Sequence, residues 1–363
     1  MVQKNNGKMV LLGMSGGVDS SVAVLLLKKK GYNVIGAFMK NFSDTKNKIT
    51  GECAWIEERK MAQKIAMLLG IQLMTFDFEK EYKKLVINPM FDSYKKGLTP
   101  NPDILCNKAI KFPLLWAKAK GLGADYIATG HYARIRKTGK GFQLLAGKDK
   151  TKDQSYFLAE LGQRDLEHAL FPVGNLTKKK VREIARRNKF PNYDKKGTRG
   201  ICFVGKTNMR FFLKQKIREK RGKVIDANGN LIGYHPGAMY YTIGQRIGER
   251  LGFELLKNKG NNKLYVVQKK KNNAIVAVPE GHFLLKKKEI GIKNFHLINP
   301  KGEIPKNLRA RIRHLGSLHK GKLRKKKGNY YFIFAKPIEQ VAEGQYIVLY
   351  KNQQVIACGE MRL

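Results

Sequence analysis

The chain has 363 residues, 42% of them hydrophobic, with 72 Lys and Arg against 28 Asp and Glu for a formal charge of +44. That length and apolar content support two or three packed domains and exclude a wholly disordered basic protein, and no run of about 18 apolar residues marks a membrane span. The N-terminus does not read as a secretory signal and the four cysteines form no Cys-x-x-Cys pair, so a cytoplasmic protein without a disulfide framework, zinc finger or other resident metal site is expected.

In chain order, the first part alternates short apolar strands with helical periods. Strands are expected at Met9–Leu12, Val34–Phe38, Gln72–Phe76 and Tyr126–Thr129, with helices at Ser21–Lys30, Glu52–Leu69 and Asn107–Lys120 between them. In the second helix Trp55, Arg59, Ala62, Ala66 and Leu69 recur every three or four residues, with Gly70 as the stop. This alternation predicts an α/β domain whose parallel sheet is covered by helices. The ligand crevice of such a sheet lies beyond the carboxyl ends of its strands, which singles out the loops after Leu12, after Phe38 and at Gly130-His131.

From about Lys214 the texture changes. Short β-branched or aromatic runs follow one another at Ala238–Ile243, Leu264–Gln268, Ala274–Val278, Leu308–Arg313, Tyr330–Ala335, Tyr346–Tyr350 and Val355–Cys358, with Gly, Asn or Lys turns between. This pattern reads as one or two small β-barrels or sandwiches, and two β-rich, barrel-like domains are the expectation. The expected divisions are 1–213, 214–290 and 291–363, the last near a loosely set boundary at Asn294–Pro300. Five triple-lysine runs, at Lys28–Lys30, Lys178–Lys180, Lys269–Lys271, Lys286–Lys288 and Lys325–Lys327, are scattered along the chain. The excess charge points to a polyanion such as nucleic acid, and the scatter fits compositional drift equally well.

The segment Ser15-Gly16-Gly17-Val18-Asp19-Ser20 follows the first strand and opens the first helix. Its glycines let backbone N–H groups approach an anion, and the helix N-terminus adds about half a positive charge. Without a Gly-Lys-Ser/Thr ending it is not a Walker A loop; it suits a pyrophosphate leaving group better than a transferred γ-phosphate, and Asp19 is placed to hold Mg²⁺ against the phosphates. Cys106 lies in a Pro-rich loop running into a helix whose dipole favours thiolate, and Cys202 follows the basic Lys195, Lys196 and Arg199. Two reactive thiols far apart in sequence suit sulfur relay; buried structural cysteine is the alternative, and it is the reading for Cys53 and Cys358. Asp103 is either a general acid or base or an Asx cap. His131 stands at a strand end, in the crevice or satisfied locally. Lys152-Asp153-Gln154 combines a cation with two hydrogen-bonding side chains, and Arg309, Arg311 and Arg313 alternate along a strand as a phosphate stripe or a solvated face.

The loop Gly13-Met14-Ser15-Gly16-Gly17-Val18-Asp19-Ser20-Ser21-Val22-Ala23 resembles the PP-loop of the ATP pyrophosphatases. Within that superfamily the chain is similar to the tRNA-specific 2-thiouridylases. The similarity also rests on the stretches Thr99–Lys108, Ala128–Ala133, Lys152–Leu158, Gly200–Gly205 and Tyr241–Arg246, which run in the family's order over most of the chain. The resemblance implies an adenine nucleotide alpha hydrolase-like fold and an ATP site formed by Gly13, Met14, Ser15, Gly16, Gly17, Val18, Asp19, Ser20, Met39 and Gly130, with Mg²⁺. It implies contacts to the target base from Asn101, Pro102 and Asp103, and to tRNA from His131, Lys152, Asp153, Gln154, Arg311, Ile312 and Gln345.

The implied reaction adenylates C2 of a wobble uridine and replaces its oxygen with sulfur. Cys202 would carry the persulfide loaded by a sulfur-donor protein, and Cys106 would release it, leaving a Cys106–Cys202 disulfide. Another PP-loop adenylating enzyme, an amide-forming synthetase or lysidine synthase, would share the loop without needing two thiols. A non-catalytic basic RNA-binding protein would need neither. The chain departs from the family at Lys195-Lys196-Gly197-Thr198-Arg199, where a carboxylate is lost and an arginine gained beside Cys202, and after Asn41, where Lys46 and Lys48 replace an acidic run. Both departures bear on recognition of the donor protein more than on the chemistry.

Overall fold

The computed structural model describes residues 7–43, 53–195, 209–256 and 263–363. In chain order the first unit has β1 (Met9–Gly13), α1 (Val18–Lys29), β2 (Asn33–Lys40), α2 (Ala54–Leu69) and β3 (Leu73–Asp77). The short helices α3 (Glu79–Tyr82), α4 (Asn88–Lys95) and α5 (Pro102–Cys106) follow, then α6 (Phe112–Gly121) and β4 (Tyr126–Ala128). A hairpin of β5 (Ala133–Thr138) and β6 (Gly141–Ala146), then α7 (Gln163–His168), β7 (Ala169–Leu170), α8 (Lys178–Arg187) and α9 (Met209–Lys214) complete it. Strands pair in the order β3-β2-β1-β4-β7, all parallel. Val10, Leu11 and Leu12 of β1 are fully buried, as a central strand covered on both faces requires. The order reverses between β1 and β4, so the ends of those two strands open the crevice where ligands of such sheets bind.

Two helix starts differ from the sequence reading. α1 begins at Val18 and takes in the end of the glycine loop. The helix expected from Asn107 begins at Pro102 instead: the Asn101 side chain accepts the Ile104 N–H at 3.2 Å and Pro102 supplies the helical φ, so Asn101, and not Asp103, is the cap. Residues 107–111 continue that helix as a π turn into α6. α2 starts at Ala54 with Cys53 as its N-cap, and it ends at Gly70 in the left-handed conformation, as its sequence requires.

The middle unit holds β8 (Gly222–Ile225), β9 (Leu231–His235), β10 (Glu254–Leu255), β11 (Leu264–Lys269) and β12 (Ile275–Pro279), ordered β10-β9-β8-β12-β11. The strand expected at Ala238–Ile243 is absent among the described residues. Ala238–Tyr240 is a single 3₁₀ turn entered from Pro236-Gly237, and both tyrosines there are anchored by their hydroxyls, Tyr240 to the Ile217 carbonyl and Tyr241 to that of Leu251. Those bonds take the place of a sheet ladder.

The last unit has β13 (Lys287–Leu297), β14 (Leu308–Arg311), β15 (His319–Lys326), β16 (Asn329–Ile338), β17 (Tyr346–Lys351) and β18 (Gln354–Arg362). The order β13-β16-β15-β14-β17-β18 is closed by β13 pairing with β18, giving a barrel. β13 runs unbroken across the expected 290/291 division and through Asn294. The β5–β6 hairpin of the first unit joins this sheet through Gln354 and Leu145. The three units also meet at Thr99, whose hydroxyl lies 3.3 Å from that of Thr242 and whose N–H donates to the Glu343 carbonyl at 2.9 Å. This junction immediately precedes Asn101-Pro102-Asp103.

Candidate active site

The glycine loop leaves β1 at the switch point and ends in Gly17, the N-cap of α1, which offers no side chain to the first helical turn. The N–H groups of that turn therefore face outward for an anion. Ser20 and Ser21 hydroxyls donate back to the Gly17 carbonyl at 2.9 and 3.0 Å and hold the loop's curvature. Gly16 has φ +66°, and a Cβ there would lie 2.3 Å from the Glu58 carbonyl of α2. Gly130, expected at the same site, packs directly on the loop: its Cβ would come within 2.8 Å of the Ser20 nitrogen. Met39 joins Met14 and Ser15 in lining a narrow cleft beside the loop. The structure thus brings together Gly13–Ser20, Met39 and Gly130.

Asp19 is the centre of a network that sequence reading missed. Lys178, first residue of α8, places its Nζ 2.6 and 2.7 Å from the two carboxylate oxygens, and the Tyr132 hydroxyl donates to Oδ1 at 2.7 Å. Burial and the neighbouring Asp19 push the Tyr132 pKa far up, so its proton stays in that bond. The loop that lacks a Walker lysine thereby acquires one from 159 residues away. Asn192, fully buried, donates to the Gly16 carbonyl at 3.1 Å and the Ser21 hydroxyl at 3.0 Å, tying the turn before residue 196 to the loop.

The base-handling residues sit on a second frame. Asn101 donates to the Gln345 side chain at 3.2 Å, and Gln345 donates to the Pro100 carbonyl at 3.2 Å, so two stretches expected to touch RNA are bonded to one another. Asp103 is half-buried in the first turn of α5, and its carbonyl accepts from Asn107 at 3.0 Å. Cys106 is fully buried at the end of α5. It stands more than a turn inside the helix, where the terminal dipole has faded, so the expected stabilisation of a thiolate at a helix start does not apply. Cys202, Gly197, Arg199, Lys46 and Lys48 lie outside the described residues.

Of Lys152-Asp153-Gln154, only Lys152 is exposed. Asp153 receives N–H groups from Gly147 and Ser155, each at 3.0 Å, and pairs with Arg311 at 2.8 Å. Gln154 accepts the Tyr132 N–H at 3.0 Å and donates its own N–H to the Tyr132 carbonyl at 2.9 Å. The expected arginine stripe is broken: Arg309 and Arg313 are exposed, but Arg311 is turned inward to Asp153 and over the Tyr350 ring. Ile312 is buried in the barrel core, which leaves its backbone for any ligand. His131 is buried and shares a 2.8 Å hydrogen bond with the Thr129 hydroxyl; burial, aided by Lys111, holds its pKa well below the usual range and keeps it neutral.

Among the described residues no group of three or more His, Cys, Asp or Glu is placed to hold a metal ion. Asp19 nonetheless suits Mg²⁺, which in nucleotide sites takes one or two carboxylates and completes its shell from phosphates and water. The Lys178 ammonium between its oxygens shows that the position accepts a cation.

Three family models cover the chain: a tRNA methyl transferase HUP domain at residues 8–206, a tRNA methyl transferase PRC-barrel domain at 210–280 and an aminomethyltransferase beta-barrel domain at 287–360. A tRNA-specific 2-thiouridylase MnmA of Karelsulcia muelleri is 41% identical over 97% of this chain and 98% of its own length. One from Geobacillus kaustophilus is 42% identical over 95% and 93%, and one from Christiangramia forsetii 36% over 97% and 99%. No helix among the described residues is long and apolar enough to cross a membrane.

Proposed function

The chain belongs to the tRNA-specific 2-thiouridylase family, and from that premise we propose that it converts the wobble uridine of tRNA to 2-thiouridine at the expense of ATP. The observation that carries this reading is a continuous hydrogen-bonded frame. Asn107, next to Cys106, donates to the Phe157 carbonyl at 3.2 Å; the same segment through Gln154 grips Tyr132, and Tyr132 holds Asp19 of the glycine loop. A thiol and an anion cradle are thus mounted on one rigid support. The descriptions of two family models name methyl transfer, but an anion cradle at a helix N-terminus serves nucleotide phosphates, and the curated relatives are named for thiolation.

The first-turn N–H groups of α1 bind the phosphates and Lys178 supplies a cation; Asp19 would hold Mg²⁺, which would supply charge neutralisation at the phosphates. Asn101, Pro102 and Asp103 receive the uridine, flipped from the anticodon stack. Its C2 oxygen attacks the α-phosphorus and pyrophosphate departs, so the oxygen can later leave as AMP. The terminal sulfur of the Cys202 persulfide, loaded by a sulfur-donor protein, adds at C2 and displaces AMP. The Cys106 thiolate then attacks the Cys202 sulfur, leaving the outer sulfur on the base. The resulting Cys106–Cys202 disulfide takes two electrons from an external thiol to reset. Asp103 exchanges the proton needed at the base. Lys152, His131, Arg311 with the Ile312 backbone, and Gln345 contribute to the tRNA surface, and the reading places the work in the cytoplasm. Release of pyrophosphate from ATP, measured with and without tRNA, tests it. tRNA-dependent release is expected, and tRNA-independent or absent release overturns the reading.

A further inference from the structure

Lys269 belongs to a lysine run that the proposed reaction does not use, and its side chain is half-buried where the three units meet. It leaves β11 of the middle unit and passes Gly97 of the first, where a Cβ would lie 4.0 Å from the lysine Cε. Its Nζ donates to the Tyr241 carbonyl at 2.7 Å. Burial pulls its pKa down to about 8 and the Glu343 carboxylate of the barrel opposes the shift, so the ammonium is partly stripped of water. The joint around it is apolar: Tyr94 of α4, Tyr240 and Tyr241 belong to one buried cluster. Apolar packing is non-directional, so directional bonds set the register of such a joint.

That register governs the segment that leads into Asn101-Pro102-Asp103. Tyr241 continues into Thr242, whose N–H is pinned to the Gln245 side chain at 2.9 Å and whose hydroxyl accepts from that of Thr99 at 3.3 Å. A contact of that length is weak unless its partner is held in place. The barrel takes the other groups of the same segment: the Glu343 carbonyl accepts the Thr99 N–H at 2.9 Å, and Gln345 donates to the Pro100 carbonyl at 3.2 Å. Gly344, at φ +87°, permits this approach, since a Cβ there would lie 3.0 Å from the Thr99 nitrogen. The backbone entering the turn is thus gripped by two other units at once. We propose that Lys269 is a positioning residue for thiolation: by fastening Tyr241 it sets Thr242 against Thr99 and so fixes the turn that receives the uridine. The inference rests on the proposed function and gives the middle unit, from which that reading takes no residue, a part in the reaction.

The test uses the full chain with Lys269→Met, which keeps the stem and loses the donor, and Lys269→Arg, which keeps a donor. At saturating tRNA the single-turnover rate of pyrophosphate release is expected to fall about 10- to 100-fold in Lys269→Met, the loss that a small misplacement causes. The arginine variant should stay within about threefold of the parent, and calorimetric affinities for ATP and for tRNA should change by less than about twofold in both. Hydrogen exchange read by mass spectrometry is expected to speed up in a peptide spanning 98–106 of Lys269→Met and to hold in the glycine-loop peptide 13–22. Thr242→Val serves if the methionine variant does not fold, with the same pattern expected. A parental rate in Lys269→Met, a loss matched by weakened ATP or tRNA binding, or an arginine variant as slow as the methionine one overturns the inference. So does unchanged exchange across 98–106. A parent without tRNA-dependent release overturns the proposed function, and the exchange then decides by itself whether Lys269 holds the turn.

Discussion

Replacing Lys178 with methionine removes the ammonium from the glycine loop while keeping most of the stem. The ammonium sits 2.6 and 2.7 Å from the Asp19 oxygens with only 14% of the lysine side chain exposed. The proposed function puts the same ammonium beside the phosphates, and a hydrogen bond to a charged group contributes about 1.5–3 kcal/mol. Lys178→Met is therefore expected to weaken ATP by about 10- to 100-fold, with the unpaired Asp19 carboxylate adding repulsion. Asp19→Asn gives the opposite sign under one condition. Without divalent metal it removes a negative charge beside the phosphates and frees Lys178, so ATP binds several-fold more tightly than to the parent. With Mg²⁺ the order reverses, because the metal has lost its carboxylate. Calorimetric titration of ATP in chelator and in Mg²⁺ reads both effects. An affinity for Lys178→Met within twofold of the parent in both buffers, or an Asp19→Asn variant weakened in chelator, would refute the role assigned to this pair.

Arg311→Met strands the Asp153 carboxylate in the interior, and breaking such a pair costs about 3–5 kcal/mol, read as a large drop in melting temperature that Asp153→Asn partly restores in the double variant. A negligible drop would mean that Arg311 is held for RNA alone. His235 is fully buried and its Nδ1 accepts the Gly237 N–H at 3.0 Å, with burial lowering its pKa to about 4. The folded state keeps it neutral while the unfolded chain protonates near 6.5. Its contribution is thus complete above that pH and declines by about 2–3 kcal/mol as the pH falls toward 4. His235→Asn should lose less stability than the parent between pH 7.5 and 5 in denaturant melts, and parallel losses would contradict the assignment. Cys106 is fully buried and Cys53 partly exposed, so iodoacetamide should label Cys53 before Cys106 in the tRNA-free chain. Mass spectrometry showing Cys106 labelled as fast would contradict that burial.

The parallel sheet and its crevice were readable because β1 and β2 are apolar runs of near-continuous burial and the glycine loop announces its own backbone demands. The β5–β6 hairpin was not. Arg134, Arg136 and Lys137 give β5 a polar texture, and the hairpin joins its sheet through β6 and β18, more than 200 residues further on. β7 pairs through two residues, too few for a periodic signal. The start of α5 was legible in Asn101-Pro102, a cap and a first-turn proline, but the proline-rich texture read as a loop. Lys178 was hidden in a lysine run. Thr177 caps α8 by accepting the Lys180 N–H at 3.2 Å, and only that geometry separates Lys178 from its neighbours. Two of the other runs hide a half-buried lysine bonded to a carbonyl, and two hold exposed ones in surface contacts. Lys28 binds the Leu69 carbonyl at the end of α2, Lys269 that of Tyr241, Lys288 that of Ala335, and Lys325 lies over the Tyr330 ring. Part of the charge that suggested a polyanion is therefore internal fastening.

The most direct test of the central claim is nucleoside analysis of tRNA after incubation with the chain, ATP, Mg²⁺ and a sulfur donor, for the parent and for Cys106→Ser and Cys202→Ser. The account predicts 2-thiouridine from the parent, dependent on ATP, and none from either serine variant. Absence of the sulfur-containing nucleoside from the parent reaction, or parental yield from a variant lacking either thiol, would contradict it.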